Sequence, residues 1–279
     1  MNSDLKNSVI AITGAGSGVG RCLALECAKR GSQVAISDIN PAGLQVTHEQ
    51  IKAQYPQARV LVHELDIAHK DAVFQWAEDV VAHFGSVNVI VNNAGVGLSA
   101  SVESTTYEDF DWLMNINFWG AVHGCKSFLP YIKKSSWGHV VNVSSLFGLI
   151  GTPNTSAYNA AKFALRGFSE SLRIELMMSH KQVNVSCVHP GGIKTNIANN
   201  SRNGGDKVGA DARMSEQERK INFNENLAKT TPELAAKKII NGIIKKKPRI
   251  LVGTDARILD ILQRFLPVKY QNVVARVFG

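Results

Sequence analysis

Val9-Ile10-Ala11-Ile12-Thr13-Gly14-Ala15-Gly16-Ser17-Gly18-Val19-Gly20 is the stretch on which the reading of this 279-residue chain turns. A short β-favouring run leads into a glycine at every second position, and helical periodicity follows over about residues 19–30. Glycine permits a tight turn and close approach of the backbone to a pyrophosphate, which then rests at the positive end of the helix. A glycine-rich turn after a strand is often only a turn. Between the first strand and first helix of a βα series it reads as a dinucleotide loop. About 20 residues on, Asp38 ends the second strand, where a carboxylate accepts hydrogen bonds from the adenosine ribose and repels a 2′-phosphate. No Lys or Arg stands at 15–17 or at 39, so the reading is NAD rather than NADP.

Working outward, apolar runs at Val9–Ile12, Gln33–Ser37, Arg59–His63, Val87–Val91, His139–Val143, Val183–Val188 and Arg249–Val252 alternate with helical patterns. The helices are expected at 19–30, 41–54, 69–84, 106–134, 157–179 and 232–246. Val/Ile-rich strands without polar alternation fit a sheet covered on both faces. The series therefore predicts an α/β fold: a doubly wound, mostly parallel, seven-stranded sheet with helices on both faces. A closed (β/α)₈ barrel would need an eighth unit. Asn40-Pro41 and Thr231-Pro232 supply an N-cap followed by proline at the first helical position. Residues 1–254 read as one catalytic domain, and 255–279 as a C-terminal amphipathic helical extension. The polar stretch from Asn196 to Lys229 breaks the pattern, and 196–230 is expected to be a mobile lid over the substrate.

Composition is that of an ordinary globular protein, 44% hydrophobic and 19% charged. No N-terminal targeting signal and no membrane-length apolar run is read. Cys22, Cys27, Cys125 and Cys187 lack disulfide or metal-ligand spacing, which suggests reduced thiols, a cytoplasmic setting and no metal site. The net charge of +8 is localised: from Thr231 to Gly279 ten Lys/Arg face three acids, +7 of the total. Nucleic-acid binding is not expected from a basic tail without an accompanying motif.

Further motifs fall in a fixed order: Asp66 in Leu65-Asp66-Ile67; Asn92-Asn93-Ala94-Gly95; Asn117 within Asn115–Gly120; Ser145 in Val143-Ser144-Ser145; Tyr158-Asn159-Ala160-Ala161-Lys162, with Tyr158 thirteen residues after Ser145; and Pro190-Gly191-Gly192-Ile193-Lys194-Thr195. Singly, each has an ordinary explanation: an exposed Tyr with a solvated Lys, a strand-end serine, a cap acid at Asp66. Together with the glycine loop they resemble the short-chain dehydrogenase/reductase family from about Lys6 to Thr195. The resemblance implies a Rossmann-like fold, a homodimer or homotetramer, and hydride transfer between a nicotinamide cofactor and an alcohol/carbonyl pair. It implies a catalytic set of Asn117, Ser145, Tyr158 and Lys162. It also implies a cofactor site of Gly14, Ser17, Gly18, Val19, Gly20, Asp38, Asp66, Ile67, Asn93, Ala94, Gly95, Tyr158, Lys162, Pro190, Gly191, Ile193 and Thr195, with Asn92 on the cofactor wall.

The chemistry gives reasons for these residue types. A Tyr and a Lys four apart share one helix face. A free tyrosine titrates near 10, and a neighbouring ammonium with the nicotinamide cation favours its phenolate. Tyr158 then serves as general acid/base, and Ser145 hydrogen-bonds the same substrate oxygen. By resemblance Lys162 also grips the ribose, and Asn117 holds a water that links Lys162 to solvent. The expected pocket walls, Val96-Gly97-Leu98 and Leu146–Ile150, are mostly apolar and carry no Lys or Arg, which favours a hydrophobic alcohol or ketone. Beyond 254, Ile258, Ile261, Leu262, Phe265 and Leu266, then Tyr270, Val273, Val274, Val277 and Phe278, recur at helical spacing. They are read as packing on the domain or a second subunit, with peripheral membrane contact as the alternative. A non-catalytic NAD-binding sensor or scaffold on the same fold is the rival function, and a dehydratase or epimerase stands behind it.

Overall fold

Val9 and Ala11 face one side of the first strand and Ile10 and Ile12 the other, and all four are buried. This two-sided burial recurs across the sheet and explains why its strands are apolar throughout. The computed structural model describes residues 5–279. Its strands are β1 (Val9–Thr13), β2 (Gln33–Asp38), β3 (Val60–Glu64), β4 (Val89–Asn92), β5 (Leu98–Ser99), β6 (Gly138–Val143), β7 (Val183–Pro190), β8 (Arg202–Asn203) and β9 (Arg249–Val252). Seven of them form one sheet in the order β3-β2-β1-β4-β6-β7-β9, and every pairing is parallel. The two-residue β5 and β8 pair only with each other.

The helices are α1 (Gly18–Lys29), α2 (Pro41–Gln54), α3 (Lys70–Phe84), α4 (Tyr107–Met114), α5 (Gly120–Ile132), α6 (Ser156–Ser179), α7 (Glu216–Asn222), α8 (Pro232–Ile244), α9 (Thr254–Phe265) and α10 (Tyr270–Phe278). Leu23, Ala24 and Cys27 of α1 and Ile239, Ile240 and Ile243 of α8 cover one face of the sheet. Trp76 and Val80 of α3, Phe128 of α5 and Leu172 and Leu176 of α6 cover the other. Strand order reverses between β1 and β4, so the helices that follow these two strands pack on opposite faces of the sheet and a crevice opens at their carboxyl ends. In a doubly wound sheet that crevice is where ligands bind.

Two expectations need correction. The pattern at 106–134 is not one regular helix, because a π-helical segment, Asn115–Trp119, separates α4 from α5. One extra residue in the turn shifts the helical phase at Asn117, whose side chain is buried. The stretch 196–229 is not irregular either. It holds β8, a short 3₁₀ turn (Gly209–Arg213), α7 and a second π segment (Phe223–Leu227). Ser215 and Glu218 close a reciprocal capping box on α7. Asn154 anchors the stretch, accepting from the Val208 N–H at 2.9 Å and donating to Asp211 Oδ2 at 2.9 Å.

Candidate active site

The crevice is built by two loops tied together. Thr13 Oγ1, at the end of β1, accepts from the N–H groups of Asn93 and Ala94, both at 3.0 Å. Asn93 Nδ2 returns hydrogen bonds to the carbonyls of Thr13 (3.0 Å) and Gly14 (3.2 Å). Gly14 has φ +66°, and a Cβ there would sit 2.7 Å from Ala94 Cα, so a side chain is excluded on both counts. Ser17 caps α1 with its hydroxyl uncommitted, and no acid stands in the first helical turn. Backbone donors and the positive helix end are thus left for a phosphate group. Thr195 lies against the other side of this loop: its Cγ2 would be 3.2 Å from a Cβ at Gly18.

Asp38 sits beside the loop, its Oδ2 accepting from the Gly16 N–H at 2.8 Å and its Oδ1 from Asn40 N–H at 3.0 Å. Each oxygen keeps a lone pair for a ribose hydroxyl. Arg21 is a cation nearby that the sequence reading missed. Its donors go to Thr47 Oγ1 (2.9 Å), the Gly43 carbonyl (3.3 Å) and the Gly16 carbonyl. It clamps α2 to the glycine loop rather than standing free for a 2′-phosphate. These residues fit a dinucleotide without that phosphate.

Other expected cofactor residues fall into two groups. Gly95 lies between Asn117 and Lys162, 2.9 Å from Asn117 Oδ1 and 3.5 Å from Lys162 Nζ as measured from a Cβ position. Ile67 is buried against Gly120, and Asp66 Oδ1 accepts from the Ala68 N–H at 2.9 Å as a local cap. Ile193 is buried, bridged to Thr230. Asn92 does not line the crevice wall. Its amide donates to Asn142 Oδ1 at 2.8 Å and contacts Cys125 Sγ at 3.3 Å, in a buried network behind the site.

Ser145, Tyr158 and Lys162 converge at the end of β6 and the start of α6. Lys162 is buried, with Nζ donating to the Val143 carbonyl at 3.0 Å and lying 5.6 Å from the Tyr158 ring centroid. Burial pushes its ammonium down to about 8. The Tyr158 phenol moves up, because burial outweighs the opposing pull of the Ser145 hydroxyl. The protein alone therefore holds Tyr158 as the phenol, contrary to the lowering expected from Lys162. Ser145 Oγ accepts from Phe147 N–H at 3.1 Å, which leaves its own proton to donate. Asn117 reaches the site from the π segment. Its Oδ1 accepts from Val96 N–H and its Nδ2 donates to the Val96 carbonyl, both at 2.9 Å. The amide thus fixes a wall residue, and no side-chain bond to Lys162 forms among the described residues.

The apolar walls are more committed to packing than expected. Leu98 packs with Leu113, Ala157 and Ala161, and Leu146 and Ile150 pack with Ala256, Tyr270 and Val274. Phe147 stays partly open and stands edge-on to the Tyr158 ring, with centroids 6.2 Å apart. Three supports escaped the sequence reading. His189 is fully buried, its Nδ1–H donating to the Ser145 carbonyl at 2.9 Å, and burial holds it neutral, near 4. Asp255 Oδ2 accepts from Gly192 N–H at 2.7 Å. Tyr270 Oη accepts from Gly151 N–H at 3.0 Å. The position of His189 directly before Pro190 was a readable signal; Asp255 and Tyr270 gave none, being far away in sequence. No cluster suited to a metal ion occurs among the described residues.

Residues 8–205 match the family model for short chain dehydrogenases. The SadH protein of Mycobacterium tuberculosis is 44% identical over 273 residues, covering 98% of this chain and 96% of its own. A 3-ketodihydrosphingosine reductase of Bacteroides thetaiotaomicron is 34% identical over 196 residues, 70% of this chain and 68% of its own. A short-chain dehydrogenase/reductase from Burkholderia phymatum, solved in complex with NAD, superposes with a TM-score of 0.86 at 25% identity, covering 96% of each chain. With the parallel sheet, the glycine loop and the Ser145-Tyr158-Lys162 cluster already in place, these matches identify the chain as a member of the short-chain dehydrogenase/reductase family, an oxidoreductase.

Proposed function

We propose that this protein moves a hydride between NAD(H) and the alcohol/carbonyl pair of an apolar substrate, with Tyr158 as general acid/base. The observation that carries it is the meeting of Ser145, Tyr158 and a buried Lys162 beside a loop fit for a dinucleotide. Bound nicotinamide supplies or accepts the hydride. Ser145 donates its hydroxyl proton to the substrate oxygen, and Tyr158 passes a proton to or from that oxygen. Lys162, near 8, supplies a proton that exchanges close to neutral pH. Asn117 completes the set by holding Val96 at the wall. NAD is favoured by Asp38 and by the engagement of Arg21, and the Burkholderia relative carries NAD.

An apolar substrate is supported by Phe147 beside Tyr158 and by a relative named for reduction of a keto compound. Residues 1–254 form the catalytic domain in this reading, 196–230 cover the substrate, and 255–279 brace both. Phe163, Ile174, Met177 and Met178 share one exposed face of α6, which supports a homo-oligomer built on it. The four free cysteines fit a cytoplasmic setting. A peripheral membrane contact through the basic C-terminus belongs to the same reading. The test is turnover of alcohols and ketones of graded chain length with NAD and NADP, followed by reduced-cofactor absorbance. Efficiency rising with chain length supports the proposal. NAD binding without any turnover favours the sensor instead.

A further inference from the structure

Helix α9 carries apolar residues on two faces: Leu259 and Leu262 pack inward on the cluster around Leu146, Ile150 and Tyr270, and a second set points away from it. Ala256 and Asp260 are its buried positions. Ile258, Ile261 and Phe265 recur at helical spacing on the opposite side, 64%, 55% and 81% exposed. Val268, past Pro267, and Val277, on α10, are exposed as well. Single exposed apolar residues need no explanation, but a stripe of them on one helix face calls for a partner.

Charge selects the partner. Arg257 and Lys269 beside the stripe make no salt bridge among the described residues. Next to it, between α8, β9 and α9, lies a cavity of ≈ 460 Å³ whose lining includes Lys238, Lys245, Lys247, Arg257 and Ile261. The one acid lining this cavity, Asp260, is already neutralised by arginines. Asp260 is buried and bound to Arg249 at 2.7 Å and Arg264 at 3.0 Å, and Asp255 is bound to Gly192. A second copy of this face would set like charge against like, which costs rather than stabilises. Nucleic acid would meet the cations but has no use for an outward Phe and two Ile.

We propose that this face docks on an anionic lipid bilayer. Ile258, Ile261 and Phe265 enter the boundary of the acyl region, while the cations around the cavity meet the headgroups. The inner side of the same helix pair packs on Leu146 and Ile150, between Ser145 and Tyr158, so docking sets the substrate loop close to the membrane. The proposal rests on the apolar-substrate reading for its purpose, and its test does not.

The test is co-sedimentation of the full chain with phosphatidylcholine vesicles, with and without phosphatidylglycerol. Binding is expected only to the anionic vesicles, weakening as salt rises. The pair Ile261→Asp and Phe265→Asp should lower it by about tenfold or more. Lys245→Gln with Lys247→Gln should lower it without touching the apolar stripe. All four variants are exposed and should leave turnover of a small soluble alcohol unchanged. Absence of wild-type binding, or equal binding by the aspartate pair, overturns the proposal. So does a fall in solution mass on sedimentation of the aspartate pair, which would make this face a contact between copies. Vesicle binding by a protein with no turnover supports docking and counts only against the dehydrogenase reading.

Discussion

The carboxylate of Asp255, in the first turn of α9, accepts the Gly192 N–H at 2.7 Å and the Ala256 N–H at 2.9 Å. One side chain therefore fastens the loop after β7, on the cofactor side of the crevice, to the C-terminal helices. Asp255→Ala leaves the Gly192 donor without its charged partner, and a loss of about 1.5–3 kcal/mol in stability is expected. The Michaelis constant for NAD should rise more than kcat falls, and Asp255→Asn should restore part of both. Thermal melts with steady-state kinetics check this; an unchanged cofactor constant would make Asp255 purely structural.

Tyr270 acts on the opposite side. Its hydroxyl accepts from Gly151, between Ser145 and Tyr158, so Tyr270→Phe should lower kcat for the alcohol while cofactor affinity holds. Turnover and NADH titration separate the two effects. A rise in the cofactor constant alone would contradict this placing.

Tyr158→Phe keeps the ring and removes the proton carrier. Turnover should fall by about 10²–10⁴-fold. Cofactor binding should persist, read by fluorescence titration with NADH. Near-normal turnover would take Tyr158 out of the mechanism.

Asp38 should set the cofactor preference. Wild-type kcat/KM is expected to favour NAD over NADP, and Asp38→Ala should narrow the ratio by removing the repulsion of a 2′-phosphate. Paired kinetics with both cofactors decide it. A wild-type preference for NADP would mean that Arg21 is free to bind the phosphate.

His189 gives the protein an acid-sensitive core. Its folded value, about 4, lies below the ordinary 6.5, so the unfolded chain binds more protons between those two pH values. Stability therefore falls as pH drops through that window, and the difference is complete below about 4. The full effect is on the order of 3 kcal/mol. Buried His139, pushed down to about 3, extends the same slope. Denaturant unfolding at stepped pH should show a shallower fall in His189→Gln than in wild type. Parallel slopes would show that His189 does not contribute.

The strands were legible because a sheet covered on both faces needs uninterrupted apolar runs, and Val9–Ile12 or Val183–Val188 cannot readily be read otherwise. The site was legible where local spacing places chemistry, as in Tyr158 and Lys162 on one helix face. The π segment was not, because one inserted residue at Asn115–Trp119 changes neither composition nor apolar content. Order in 196–229 was half visible: Ser215 and Glu218 are spaced as a capping box, but polarity elsewhere in the stretch masked it. Asp255 and Tyr270 were illegible for another reason. Their partners lie 63 and 119 residues away, and no local pattern encodes such a contact.

Those two separations bear on how the protein is born. A ribosome releases the glycine loop well before α9 and α10, at about 5–20 residues per second. The sheet can collapse early around β1 and β4, yet Gly192 and Gly151 stay unfastened until Asp255 and Tyr270 emerge. Competence therefore waits on the emergence of α9 and α10, and a nascent chain stalled short of α9 is a folded body without a finished catalyst.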